Sequence, residues 1–108
     1  AKSHESEKVV NIIAKEMLAM LIEFIGEVND VVEKALDDEN YSTEELTHFI
    51  HKLHGSCSYS GVPKLKAVCA QLEKSLRSGM SIADIEPELF ELQDEMEKVL
   101  ATAELYLA

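Results

Sequence analysis

A chain of 108 residues with 46% hydrophobic side chains, four glycines and two prolines can bury one core without staples and is too apolar for a disordered segment. Its net charge of −11 disfavours nucleic acid or an anionic membrane surface as a partner, because both are bound through Lys and Arg. No apolar run approaches the roughly 20 residues of a membrane span, and no sustained apolar–polar alternation marks a strand, so one all-helical domain over residues 1–108 is expected. The opening Ala1-Lys2-Ser3-His4 has no secretory pattern and no methionine, as in an excised or processed domain.

The first helix is predicted from about Glu5 to Phe24, with Val9, Ile12, Ile13, Met17, Leu21 and Phe24 at three- and four-residue steps. Gly26 is expected to interrupt or bend it. A second segment then carries Val28, Val31, Val32, Ala35 and Leu36, and Asp37 to Tyr41 reads as a loop. Ser42-Thr43-Glu44-Glu45 is a capping box that starts a helix running to about Tyr59. Ser60-Gly61-Val62-Pro63 breaks that helix and opens the next, which carries Leu65, Val68, Cys69, Leu72 and Leu76 and stops at Ser78-Gly79. Ser81 to Glu86 reads as a connector, and Pro87 opens a last helix with Leu89, Leu92, Met96, Val99, Leu100, Ala103 and Leu107. Short links between such helices imply an antiparallel four-helix bundle with an additional or split N-terminal segment. Cys57 and Cys69 fall on apolar stripes and read as reduced, buried thiols.

The helix after the capping box carries the chemistry. At about 100° per residue, Leu46, Phe49, Ile50, Leu53 and Cys57 form one stripe, and His51 lies well off it, toward solvent. Gly55 and Ser58 follow His51 on its own face. A glycine inside a helix costs about 1 kcal/mol relative to alanine, a cost that close approach by another protein's surface would explain. Between Leu46 and Met80 lie Lys52, Lys64, Lys66, Lys74 and Arg77, and of the chain's 21 acids only Glu73. An acidic domain therefore has one neutral-to-basic region around His51, suited to an anionic partner or a phosphoryl group. Taken singly, an exposed histidine is ordinary surface, lysines are solvated decoration, and Gly55 is a packing glycine. Their coincidence on one face favours a site.

A metal centre is the main rival. His48, His51 and His54 recur every three residues, and Glu45-Leu46-Thr47-His48 fits the Glu-x-x-His of di-iron bundles. That architecture needs a second such motif, whereas the remaining histidine is His4 and the three histidines fan around their helix. No bound metal is expected. No Ser-His-Asp or Cys-His arrangement signals hydrolysis, and Cys57 points to the core.

The run His51-Lys52-Leu53-His54-Gly55-Ser56-Cys57-Ser58-Tyr59-Ser60-Gly61, continued by Val62-Pro63 and Leu65, resembles the motif of histidine-containing phosphotransfer (HPt) domains, in particular the C-terminal HPt domain of BarA/GacS-type hybrid sensor kinases. The likeness is strongest from Leu46 to Gly79. It implies that His51 is a phosphorylated nucleophile, taking a phosphoryl group from a receiver-domain aspartate and passing it to a response-regulator aspartate. The family's usual lysine three positions after the histidine is His54 here, so Lys52 or His54 is expected to steady the phosphoryl group. A glutamine common 22 positions on is Glu73 here, expected to orient the imidazole. Gly55, Ser58, Lys64 and Lys66 are the expected receiver-docking surface. The resemblance further implies no kinase activity, no bound cofactor, magnesium on the partner receiver, a monomer in isolation, and a cytoplasmic place, as in the C-terminal part of an inner-membrane sensor kinase. The competing reading is a helical interaction module whose basic face binds an acidic partner without chemistry.

Overall fold

The apolar stripes become four α-helices in a computed structural model: α1 (Lys2–Asp37), α2 (Thr43–Ser60), α3 (Pro63–Arg77) and α4 (Glu86–Leu107). The structure describes the backbone of residues 2–60 and 62–107, and the side chains of 15–57 and 62–105. The packing expected of Val9, Ile12, Ile13 and Leu107 lies outside the described side chains, as does that of Ser58. α1 and α3 each pack on both α2 and α4, closing a ring of antiparallel neighbours. The core is filled from all four helices, by Leu21, Ile25, Val28 and Val32, by Leu46, Ile50 and Leu53, by Leu65 and Leu72, and by Leu89, Leu92 and Met96. Each such side chain contributes about 1.5–3 kcal/mol through removal from water, and truncating Leu53, which is fully buried, to alanine would cost about 2–5 kcal/mol.

The expected break at Gly26 does not occur, and α1 runs through it as one helix. Gly26 is exposed, and a Cβ there would meet nothing within 4 Å. Its cost of about 1 kcal/mol is outweighed by Leu21, Ile25, Val28 and Val32, which stay in helical register on the buried side across it. The expected connector at Ser81–Glu86 also does more than connect. Ser81 and Asp84 exchange hydrogen bonds, Ser81 N–H to Asp84 Oδ2 at 3.2 Å and Asp84 N–H to Ser81 Oγ at 3.3 Å. That tight turn drives Ile82 and Ile85 into the core.

The other punctuation behaves as its chemistry requires. Ser42 Oγ accepts the Glu45 N–H at 3.2 Å, capping α2. Pro63 sits in the first turn of α3, where its missing N–H costs nothing. At the other end of α3, Gly79 takes φ of +91°. Met80 N–H reaches Ser75 O at 3.2 Å and Gly79 N–H reaches Leu76 O at 3.1 Å, the paired bonds of a Schellman cap. Cys57 and Cys69 are free, buried thiols, and a hydrogen bond from Cys69 holds the Cys57 thiol below its ordinary pKa against the upward push of burial. No helix of the described residues is long and apolar enough to cross a membrane.

Candidate functional site

Because Leu46, Ile50, Leu53 and Cys57 take the buried side of α2, His51 is left at its edge with 62% of its side chain exposed. α3 starts at Pro63 and runs back along α2. That return brings Glu73, 22 residues later, level with the histidine. Glu73 Oε1 lies 2.5 Å from His51 Nδ1 and accepts a 2.7 Å hydrogen bond from Arg77 Nη2. The Glu73 side chain is only 13% exposed. Burial pushes its carboxyl pKa up, but the bonds and charges of His51 and Arg77 more than offset this and hold the carboxyl below its ordinary value. An ionised carboxylate is acceptor-only, so the neutral imidazole carries its proton on Nδ1 and leaves the Nε2 lone pair free. The arrangement thus presents a positioned nitrogen nucleophile with an anion behind it. The anion stabilises positive charge that develops on the ring when Nε2 bonds to an electrophile.

The surroundings are flat. Gly55, one turn after His51, is exposed, and an added Cβ would meet nothing within 4 Å. Thr47 Oγ1 donates to Thr43 O at 2.6 Å and Ser56 Oγ to Lys52 O at 3.1 Å, so both hydroxyls fold onto their own helix rather than stand out from it. Lys52 is exposed on the other flank. With Ser56 it walls an open groove of about 510 Å³ against Met17, Met20, Phe24, Glu23 and Glu27 of α1. Met20 is 69% exposed there. Sequence periodicity assigns Met17 and Phe24 to the core stripe, and both are only half-buried; the exposed Met20 beside them was the signal for an open apolar groove.

The remaining candidates divide. His54 is half-buried one turn from His51. Lys64 and Lys66 are not brought to the histidine. Each precedes Glu73 by seven to nine residues, roughly 10–13 Å along α3. Lys64 lines a separate cleft with Leu18 of α1 and Glu95, Lys98 and Val99 of α4. Lys66 lies close enough to Cys57 to lower its thiol pKa by charge, near the far end of α2. Ser58 lies in α2, but its side chain is outside the described residues. Among the described residues no group of three metal-ligating side chains converges, and Glu45, the acid of the di-iron-like motif, instead neighbours the Tyr41 phenol, whose pKa burial and this carboxylate push up. Sequence reasoning placed Arg77 only as part of the basic region. Its spacing of four from Glu73, the distance at which side chains meet on a helix, was the signal for the contact.

Residues 16–102 match the Hpt domain family. The chain is 52% identical over 91 residues to the signal transduction histidine-protein kinase BarA of Escherichia coli (strain K12), a match covering 84% of this chain and 10% of that protein. It is 34% identical over 67 residues to the sensor histidine kinase GacS of Pseudomonas protegens, covering 60% of this chain and 7% of that one. The chain therefore spans about a tenth of the length of the curated relatives it matches. The crystal structure of the HPT domain from an Hpt sensor hybrid histidine kinase of Shewanella superposes with a TM-score of 0.81 at 33% identity, over 98% of this chain and 85% of that one.

Proposed function

The chain belongs to the Hpt domain family, and on that premise we propose that it is a phosphorelay intermediate in which His51 takes a phosphoryl group from a receiver-domain aspartate and yields it to a response-regulator aspartate. One observation carries this reading above the others: the exposed His51 ring is held at Nδ1 by Glu73, leaving Nε2 as the nucleophile.

The Nε2 lone pair forms the P–N bond while the acyl P–O bond breaks, and the receiver's aspartate leaves with that electron pair as a carboxylate. The ring becomes a phosphoimidazolium that keeps its Nδ1–H, and the Glu73 carboxylate faces the new positive charge. Transfer onward reverses the step at a second aspartate. Magnesium, which neutralises the transferring oxygens, belongs to the receiver in this reading. This domain contributes orientation and a surface that admits the partner. Gly55 and the groove beside Lys52 form that surface, because both adjoin His51 and neither presents an obstacle to a receiver. Lys52 and His54 are the candidates for contact with the phosphoryl oxygens. The domain is a transfer module without kinase activity, acting on the cytoplasmic side as part of a sensor kinase.

Incubation with a receiver phosphorylated on aspartate tests the reading. The expected result is acid-labile, base-stable phosphate on this chain, lost in His51→Gln. Binding of the receiver with no incorporation would instead favour an interaction module.

A further inference from the structure

Glu73 Oε1 serves two donors at once, His51 Nδ1 at 2.5 Å and Arg77 Nη2 at 2.7 Å. A carboxylate has another oxygen and free lone pairs, so sharing one oxygen is a specific arrangement. Arg77 is exposed over 64% of its side chain, and the shared oxygen is its contact with the site. From this geometry we propose that Arg77 is a positioning residue for His51, acting through Glu73: it clamps the carboxylate that aims the ring and takes up part of its charge.

The clamp answers a conflict in the site's chemistry. A carboxylate bonded to Nδ1–H orients the imidazole, but it also favours the imidazolium, in which Nε2 is protonated and cannot attack. A guanidinium on the same oxygen draws charge away from the ring and leaves the direction of the bond unchanged. Arginine suits this role because its planar fork is always charged. The other ionisable groups around the ring do not substitute for it. Lys52 and His54 lie on the histidine's own helix, and Glu23 and Glu27 stand on α1 across the Lys52 groove. Lys74 adjoins Glu73 on α3 and is exposed, whereas Arg77 is the cation bonded to the oxygen that His51 uses.

The kinetic part of this inference rests on the phosphotransfer reading; the titration part does not. In the unphosphorylated protein, Arg77→Ala should move the NMR titration midpoint of the His51 imidazole upward by roughly half a pH unit, the size expected for one exposed charge. Arg77→Lys should restore most of the difference. In a Glu73→Ala background the Arg77→Ala shift should shrink to less than half. Phosphoryl acceptance by Arg77→Ala should fall about two- to threefold on the acidic limb of its pH profile and approach wild type on the alkaline limb, where the imidazole is neutral in both proteins. A role confined to stability would move neither the midpoint nor the pH profile. An unchanged midpoint in Arg77→Ala overturns the proposal, and so does a shift undiminished in the Glu73→Ala background, which would mean that Arg77 acts on the ring directly. If the midpoint moves as expected while wild type takes up no phosphate, the phosphotransfer reading fails and the positioning role stands.

Discussion

The α2–α3 side and the α1–α4 side of this bundle are built with the same devices and differ in what they expose. Among the described residues, each side carries a polar side-chain pair that bridges its two helices. Across α1 and α4, Gln93 Nε2 donates to Asn29 Oδ1 at 3.2 Å, a neutral, partly buried bond. Across α2 and α3 the pair is His51 and Glu73, with an exposed ring, a nearly buried carboxylate and Arg77 behind it. Each side also has an exposed glycine inside a helix with open space above it, Gly26 on α1 and Gly55 on α2. The neutral pair can fix helix register and little else, because neither amide titrates near neutrality. The charged pair fixes register and also leaves a ring nitrogen unspent. On the phosphotransfer proposal, reactivity would come from a titratable pair at the edge of the core, with no departure from regular helical geometry.

Substitutions on the two sides should therefore separate function from stability. The largest effect is expected for His51→Gln, which should abolish phosphate incorporation while leaving helical content and melting temperature near wild type, since the ring is mostly exposed. Incorporation surviving in that variant would place the nucleophile elsewhere. Next, Gly55→Leu should reduce transfer from a phosphorylated receiver by about 100-fold through displacement of the partner, whereas Gly26→Leu should leave it unchanged. Equal rates for the two leucine variants would show that the receiver does not approach over Gly55.

Glu73→Ala should slow transfer by about tenfold, the kinetic equivalent of about 1.4 kcal/mol for a lost charge-assisted bond. Gln93→Ala should instead cost about 1 kcal/mol of stability with no change in transfer rate, which denaturant melts and rate measurements together would separate. Acid stability sharpens the contrast further. The Glu73 carboxyl is held below its ordinary value in the folded chain, so its contribution is present above the unfolded pKa of about 4.3 and is lost as pH falls through the lower folded value. The acid limb of a melting-temperature profile should be flatter in Glu73→Gln than in wild type, while Gln93→Ala should keep the wild-type slope. The smallest effect is expected for Gly26→Ala, a gain of up to about 1 kcal/mol at unchanged transfer, measured by urea titration.

The apolar stripes were legible because each helix buries one side, and the ends were legible where Ser42, Pro63 and Gly79 carry specific backbone chemistry. His51 stood out for the same reason that it is exposed: it lies off the stripe of Leu46, Ile50 and Leu53. Gly26 misleads because a local propensity was weighed without the long-range burial on either side of it. Ile82 and Ile85 lie in a segment too short for periodicity, and their burial depends on a Ser81–Asp84 turn that brings both inward. Lys64 and Lys66 belong to the basic region by sequence, but the return path of α3 carries them along the helix away from the histidine.

The α2–α3 return also bears on how the chain folds. His51, Glu73 and Arg77 lie within a single helical hairpin, and the bond that links them closes a loop of 22 residues. Closure over so short a span carries a small entropic cost and requires no distant segment to be found first. Helices of 18 and 15 residues are marginal alone in water, and the apolar sides of α2 and α3 remain wet until α1 and α4 cover them. The hairpin can therefore meet in native register early, and the arrival of α1 and α4 makes it permanent. A variant that weakens the α1–α4 side would then change how long the His51 ring stays beside Glu73 more than how it is aimed.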